Sequence, residues 1–183
     1  MIKPGSFQEK ILIGRLRMKD KDAFGELYDI YIDKIYRFVY FKVSSSAEAE
    51  DLTSQIFLKV WQLILDNKIK TGQSFQAFLY TLARNTVIDF YRHSRKEKGD
   101  ISLEEAADIS AAGEIEKEID IKIEMERLSL KLKKLKSEYR EALVLHYINE
   151  LSIKEIAEIL NKKRGAVRVL LHRAVNSLKE ILK

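Results

Sequence analysis

The stretch Ser152-Ile153-Lys154-Glu155-Ile156-Ala157-Glu158-Ile159-Leu160, continued by Asn161-Lys162-Lys163-Arg164-Gly165-Ala166-Val167-Arg168, decides the reading of this chain. Ser152 and Glu155 have capping-box spacing, in which hydroxyl and carboxylate each satisfy a backbone N–H that a helix start leaves free. Ile153, Ile156, Ala157 and Leu160 then recur on one helical face. The polar break at Asn161-Lys162-Lys163 permits a sharp change of direction. A second helical pattern follows, with Val167, Leu171, Ala174, Leu178 and Ile181 as its inner stripe. Facing outward around its start are Lys162, Lys163, Arg164, Ala166, Arg168 and Val169, with His172 and Arg173 one turn on. A short helix, a tight turn and a basic second helix meet the geometric demand of laying a helix in the major groove of DNA. A plain two-helix hairpin with a solvated basic face carries the same pattern, so the rest of the chain has to decide.

The breakers are sparse: one proline, Pro4, and seven glycines in 183 residues. With 46% hydrophobic residues in long periodic runs, this predicts an all-α protein with a core of its own. The absence of cysteine excludes disulfides, thiolate chemistry and cysteine-ligated zinc, and fits a reducing compartment. No apolar run approaches the roughly 18 residues of a membrane span. Met1-Ile2-Lys3-Pro4-Gly5-Ser6 does not read as a signal peptide, so a cytoplasmic location is expected. The net charge of +5 is unevenly spread. Residues 97–126 hold 11 acids and 3 bases, for −8, between basic blocks of +5 (1–96) and +8 (127–183). Two basic blocks suit a polyanion through counterion release; a solvated surface would show the same totals. The chain therefore divides into 1–96, an acidic linker at 97–126, and 127–183.

In the first block, residues 7–18 carry Phe7, Ile11, Leu12 and Leu16 at helical spacing, and Asp22 is placed to cap the next helix. From Ala23 to Val43, Phe24, Leu27, Tyr28, Tyr31, Ile35 and Phe38 make an aromatic stripe that reads as core. Ser45 and Glu48 repeat the capping-box spacing before a helix that runs to about Leu65. Its opening turns carry Glu50 and Asp51, with Gln55 one turn beyond; the helix dipole alone accounts for acids there. A polar loop with Asn67, Lys68 and Lys70 leads to Ser74, which caps a helix to about Arg95. The outer face of that helix interleaves Arg84, Asn85, Asp89, Tyr91, Arg92 and Arg95, a mixture suited to single-stranded nucleic acid. A solvated helix end would look similar. In the second half of the linker, residues 114–126 fit a strand or a helix equally. A helix is settled by about residue 127, and Ser137 is placed to cap the next, with Ala142, Leu143 and Tyr147 inward.

Catalysis finds little footing. His93, His146 and His172 lie on separate helices without metal-ligand spacing, and there is no glycine-rich phosphate loop or nucleophile elbow. No enzyme activity, cofactor or metal is expected.

Three segments in order carry a family resemblance. Ala49-Glu50-Asp51-Leu52-Thr53-Ser54-Gln55-Ile56-Phe57-Leu58-Lys59-Val60-Trp61 is the first. The second is Phe75, Phe78, Leu79, Ala83, Arg84, Asn85, Asp89 and Arg92 at their spacing, and the third is Leu151-Ser152 through His172-Arg173-Ala174. Together they resemble the extracytoplasmic-function (ECF) group of bacterial RNA polymerase sigma factors. The resemblance implies two helical domains that dock on core RNA polymerase and grip promoter DNA at two points. It implies polymerase contacts at Glu50, Asp51 and Gln55. It further implies capture of an unstacked −10 base by Asn67, Lys68, Lys70, Asn85, Asp89, Arg92 and Arg95, and reading of the −35 element by the helix-turn-helix. The acidic linker would thread a polymerase channel as a polyanion mimic, and an anti-sigma factor is an expected partner. The other classes weighed are a free-standing helix-turn-helix regulator, and a helical interaction protein or nucleic-acid enzyme.

The sequence departs from the family where target choice should lie. Lys163 replaces the usual small cap, Ala166 the usual threonine, and Val169-Leu170 the usual serine-arginine pair. Phe78 stands in a segment that commonly holds tryptophan. An exposed Val169 could touch a thymine methyl, and Leu170, three residues after Val167, could join the core.

Overall fold

Ser6, Asp20, Ser45 and Ser152 cap helix starts in this protein. The computed structural model describes residues 6–43, 45–69, 74–98 and 116–182, with backbone alone at 95–98 and 116–123. In chain order the helices are α1 (Phe7–Arg17), α2 (Lys21–Tyr40), α3 (Ser46–Leu65), α4 (Phe75–Lys98), α5 (Glu116–Lys133), α6 (Ser137–Leu143), α7 (Ile153–Ile159) and α8 (Arg164–Leu182). A π-helical turn, Val144–Ile148, prolongs α6. No strand occurs among the described residues. The Ser45–Glu48 capping box forms as the spacing requires, both of its bonds at 3.2 Å.

Helices end by an equally local device. Lys19, Asn67 and Asn161 adopt the left-handed conformation, with φ of 63°, 54° and 50°. At Asn161 the N–H of Lys162 reaches the Ala157 carbonyl at 2.9 Å, and at Asn67 the N–H of Lys68 reaches the Leu63 carbonyl at 2.8 Å. These are Schellman closures, and asparagine tolerates the left-handed region better than most residues.

Helix α2 is the hub of the N-terminal unit. Leu27, Tyr31, Ile35, Phe38 and Val39 are buried on it, and α1, α3 and α4 pack around it. Aromatic pairs lock the packing. Phe24 meets Trp61 and Tyr28 meets Phe57 on α3, at 4.9 and 4.7 Å between ring centroids. Tyr31 meets Phe75 and Phe38 meets Tyr80 on α4, at 5.7 and 5.4 Å. The C-terminal unit packs α6 and α7 on α8, whose Val167, Leu170, Leu171 and Ala174 are buried. Helix α5 lies against α8 and α6. The two units touch where α7 meets α4 and where the π turn meets α2.

Several expectations are corrected. Phe7 and Ile11 point outward, because the rotation that seats Leu12 and Leu16 on the core brings Glu9 inward instead. Buried Glu9 takes a hydrogen bond from the Tyr31 hydroxyl. Asp20, not Asp22, caps α2: its carboxylate accepts from the N–H groups of Asp22 and Ala23 at 2.9 and 3.2 Å. Ser137 is the first helical residue of α6 rather than its cap, which is Lys136 without a side-chain bond. Tyr147 is 61% exposed, since the π turn adds to the residues per turn and rotates it off the inner face. The ambiguous stretch before residue 127 is helical from Glu116. The expectation that Leu170 joins the core holds, as it is 8% exposed.

Phe38 is fully buried against Tyr80, so Phe38→Ala should cost about 3–5 kcal/mol of unfolding free energy. Urea denaturation followed by circular dichroism measures this; a loss below ~1 kcal/mol would contradict the packing described.

Candidate nucleic-acid interface

The helix-turn-helix is built by its own local bonds. Ser152 accepts from the Glu155 N–H at 3.3 Å and Glu155 accepts from the Ser152 N–H at 2.8 Å, so the reciprocal cap forms and α7 starts on register. The Schellman closure at Asn161 turns the chain, and α8 begins three residues later. With Val167, Leu170, Leu171 and Ala174 held inside, the remaining positions must face out. Lys162, Lys163, Arg164, Gly165, Ala166, Arg168, Val169, His172 and Arg173 are all exposed. Two neighbouring stripes result, Gly165–Arg168–His172 and Ala166–Val169–Arg173. The second floors an open hollow of about 320 Å³. Ala166 and Val169 form its apolar floor, Lys162 and Arg173 flank it, and Glu138 with Tyr139 of α6 make the far wall. Lys162 and Arg173 offer cations for phosphates and Ala166 and Val169 apolar contact for a base methyl, with the acid Glu138 also in the lining.

The second cluster lies on the N-terminal unit. Asn85, Asp89 and Arg92 fall at helical spacing on α4 and are exposed together. The loop that precedes α4 starts at Asn67, whose left-handed backbone projects its exposed side chain beside Lys68. Lys68 Nζ pairs with Asp66 at 3.0 Å in a solvent-exposed bridge. Lys70 and the side chain of Arg95 lie outside the described residues. A third group is α3, where Glu50, Asp51 and Gln55 are exposed. Asp51 and Gln55 share a stripe with Leu58, which is 69% exposed, so acid, amide and apolar groups are offered on one surface.

Sequence reasoning missed a fourth group. Arg84, read with the outer face of α4, turns instead toward Glu141 of α6, with Nε at 3.2 Å from Oε2. The ammonium of Lys42, just past the end of α2, holds the other oxygen of Glu141. Burial holds that ammonium below its ordinary pKa, and Glu141 offsets only part of the fall. Asn149 donates to the Lys34 carbonyl and to the Tyr80 hydroxyl, both at 2.8 Å. The one available signal was an acid, Glu141, set directly before the apolar run Ala142-Leu143-Val144-Leu145. Among the described residues there is no cluster of three metal-ligating side chains, and no helix long and apolar enough to cross a membrane.

One helical unit thus carries a complete helix-turn-helix and the other an exposed polar stripe on α4, surfaces of the kind that nucleic-acid-binding proteins present. The profile described as "Sigma-70 region 2" matches residues 27–97, and that of "Sigma-70, region 4" matches residues 125–178. The chain is 32% identical over 179 residues to the ECF RNA polymerase sigma factor SigW of Bacillus subtilis, covering 93% of this chain and 95% of that one. It is 35% identical over 176 residues to the ECF sigma factor BldN of Streptomyces coelicolor, covering 93% of this chain but 64% of BldN. The fold matches that of CnrH, solved in complex with the cytosolic domain of CnrY, with a TM-score of 0.74 at 21% identity over 95% of this chain and 96% of that one. It also matches the Bartonella quintana sigma factor RpoE, solved with the anti-sigma factor NepR, with a TM-score of 0.66 at 22% identity over 87% of this chain and 96% of that one. This chain belongs to the sigma-70 family, in its ECF group of RNA polymerase sigma factors. Proteins of this family are transcription initiation factors that recognise promoters, and they are not catalysts.

Two substitutions probe the reader's construction. Ser152→Ala removes the reciprocal cap and should cost about 1 kcal/mol in urea unfolding; no change would mean that the box does not hold α7. A Cβ at Gly165 meets nothing within 4 Å. Gly165→Ala should therefore stabilise the free protein by about 0.4–1 kcal/mol, while duplex binding weakens if the helix start approaches DNA closely. A stability loss would mean that the free fold itself requires the glycine.

Proposed function

We propose that this sigma factor docks on core RNA polymerase through α3 and reads its promoter at two places, one with each helical unit. In this reading Asp51 and Gln55, with Glu50 beside them and Leu58 on the same stripe, make the polymerase contact. Asn67, Lys68 and Lys70 of the loop and Asn85, Asp89, Arg92 and Arg95 of α4 hold the melted −10 strand. Flipping a base costs a few kcal/mol, which edge hydrogen bonds and stacking must return. Lys162, Lys163, Arg164, Arg168, His172 and Arg173 seat α8 on −35 phosphates and base edges, while Ala166 and Val169 offer apolar contact. The division of labour follows blocks 1–96 and 127–183, joined by the acidic segment 97–126. An anti-sigma factor and a cytoplasmic site of action belong to the same reading. The observation that carries it is the pair of exposed polar stripes, on α4 and α8, set on separate units of one chain.

Reconstituted transcription tests it. Core polymerase with this protein should start at promoters that core alone ignores; failure at all of them refutes the reading. Replacing Arg164 and Arg168 together by alanine should weaken duplex binding with core association intact. The salt slope of binding should fall by about 1 for each phosphate that is no longer neutralised. If core association fell equally, the assignment of roles would be wrong.

Val169 allows a sharper test, because its apolar side chain is 51% exposed on a basic face. Deoxyuridine scanning of the −35 element removes one thymine methyl at a time. At one position the loss should be about four-fold in affinity, the worth of one buried methyl, and it should vanish in Val169→Ala. Equal sensitivity in both proteins would sink the assignment.

A further inference from the structure

The ends of α1 and α3 converge, and each closes on a left-handed residue, Lys19 at φ 63° and Asn67 at φ 54°. The two turns are close: the hydrogen bond from Lys68 holds the Asp66 carboxyl below its ordinary pKa, and the charge of Lys19 adds to the fall. Beside them lies an open hollow of about 210 Å³. Its walls are Ile13 and Leu16 of α1 with Ile64, Ile69 and Phe75, and its polar residues are Arg17 and Asn67. Leu16, Ile64 and Phe75 are buried and Ile13 and Ile69 half-buried, whereas Arg17 and Asn67 are exposed, so the polar groups stand at the mouth and the apolar ones below. None of Asn85, Asp89 and Arg92 lines the hollow, which sets it apart from the polar stripe of α4. On α1 the cation of Arg15 is taken up by Asp20 and Glu26. Among the described residues Arg17 and Lys19 form no ion pair.

These features select an occupant. The volume falls below the roughly 300–1,000 Å³ of sites for drug-sized ligands, which leaves room for one small ring. Apolar walls suit the faces of a flat ring. A guanidinium and a carboxamide at the mouth suit a ring with carbonyl oxygen on its edge, and thymine and guanine are rings of that kind. The exposed ammonium of Lys19 nearby fits the phosphate to which such a base is tethered. Asn67 belongs both to the hollow and to the loop assigned to the melted strand, so the two surfaces are continuous. We propose that this hollow receives one unstacked base of the melted strand, thymine or guanine, and that Arg17 reads its carbonyl edge. The strand then passes from the α4 stripe over the loop to α1, and the base held here is additional to any that α4 holds. Contact with the apolar walls and the bond from Arg17 offset the cost of unstacking. The inference rests on the assignment of α4 and its loop to the melted strand.

Photo-crosslinking tests it with two random single-stranded pools, one carrying 4-thiothymidine and the other 6-thiodeoxyguanosine. In each, sulfur replaces the edge carbonyl oxygen and couples to adjacent side chains on irradiation. On core RNA polymerase loaded with the full chain, at least one pool should leave adducts on α1 between Ile13 and Arg17, as well as on α4 between Asn85 and Arg92. Adducts confined to α4 refute the hollow and leave the strand assignment standing. Adducts on neither refute the strand assignment, and the hollow with it. Arg17→Met supplies the second arm, since it keeps the length of the side chain and removes its donors. Arg17 is exposed, so helicity by circular dichroism should be unchanged. With core alone as background, the variant should bind fluorescein-labelled oligothymidylate roughly ten-fold more weakly, the scale of a hydrogen bond from a charged group. An abasic oligomer of the same length should bind as before. Equal loss on both oligomers would mean that Arg17 meets phosphate alone, and no loss on either that it meets nothing; each result overturns the assignment of Arg17.

Discussion

The burial of α2 is the constraint on which the rest depends. Its inner residues from Ala23 to Val39 are 1% exposed or less, because α1, α3 and α4 close on it from different sides. The rotation of α4 is not free in such a packing. Tyr31 takes Phe75 and Phe38 takes Tyr80, two ring contacts five residues apart on α4, and a helix held at two such points has its azimuth determined. Asn85, Asp89 and Arg92 then have only solvent to face. The polar stripe is thus a consequence of aromatic packing on the opposite side. The same hub supplies the attachments for the second unit: the Lys34 carbonyl lies on α2, and Lys42 follows its last turn.

Much of this was legible because it rests on local chemistry. The capping boxes at Ser45 and Ser152 require only a hydroxyl and a carboxylate three residues apart, and both form. The inner stripe of α8 follows from helical period, and Leu170 enters it as its spacing from Val167 suggested. The misreadings arise where a non-local choice intervenes. On α1 the apolar residues Phe7 and Ile11 compete with Glu9 for the inner face, and the Tyr31 hydroxyl, 22 residues away, decides for the acid. At Tyr147 a π turn changes the period itself, which no count of three and four can anticipate. Lys42 and Glu141 stand 99 residues apart, and the acid set before an apolar run at Glu141 does not say which cation it will meet.

The boundary between the units illustrates how charge can specify an arrangement without stabilising it strongly. A buried ion pair returns little net free energy, since desolvation consumes most of the Coulombic gain, but removing one partner alone is severe. Glu141 serves two cations at once, so neither Lys42 nor Arg84 is left uncompensated while the units are together. Apolar contacts alone, which also cross this boundary, would tolerate small rotations; a lysine, a guanidinium and an amide that must be satisfied beside them narrow the register. The carboxamide oxygen of Asn149, buried without a partner, marks where that register is imperfect.

The contrast between scaffold and target in the helix-turn-helix has the same physical root. Ser152, Glu155, Val167 and Leu171 are constrained by the fold of the free chain, through caps and core packing, so any sequence that makes this unit must supply similar residues there. Ala166 and Val169 are exposed. The surface they present is therefore less constrained by the core than the inner stripe is. Leu170 shows the boundary case. Where the family usually places an arginine, this chain places a side chain that its own core absorbs at 8% exposure. That position has thereby passed from the outward set to the inward one. The remaining outward chemistry on the second stripe of α8 is an alanine and a valine ahead of a single arginine, so the contacts it can offer a base are mainly apolar. The hydrogen-bond donors are Arg173 on that stripe and Arg168 and His172 on the neighbouring one.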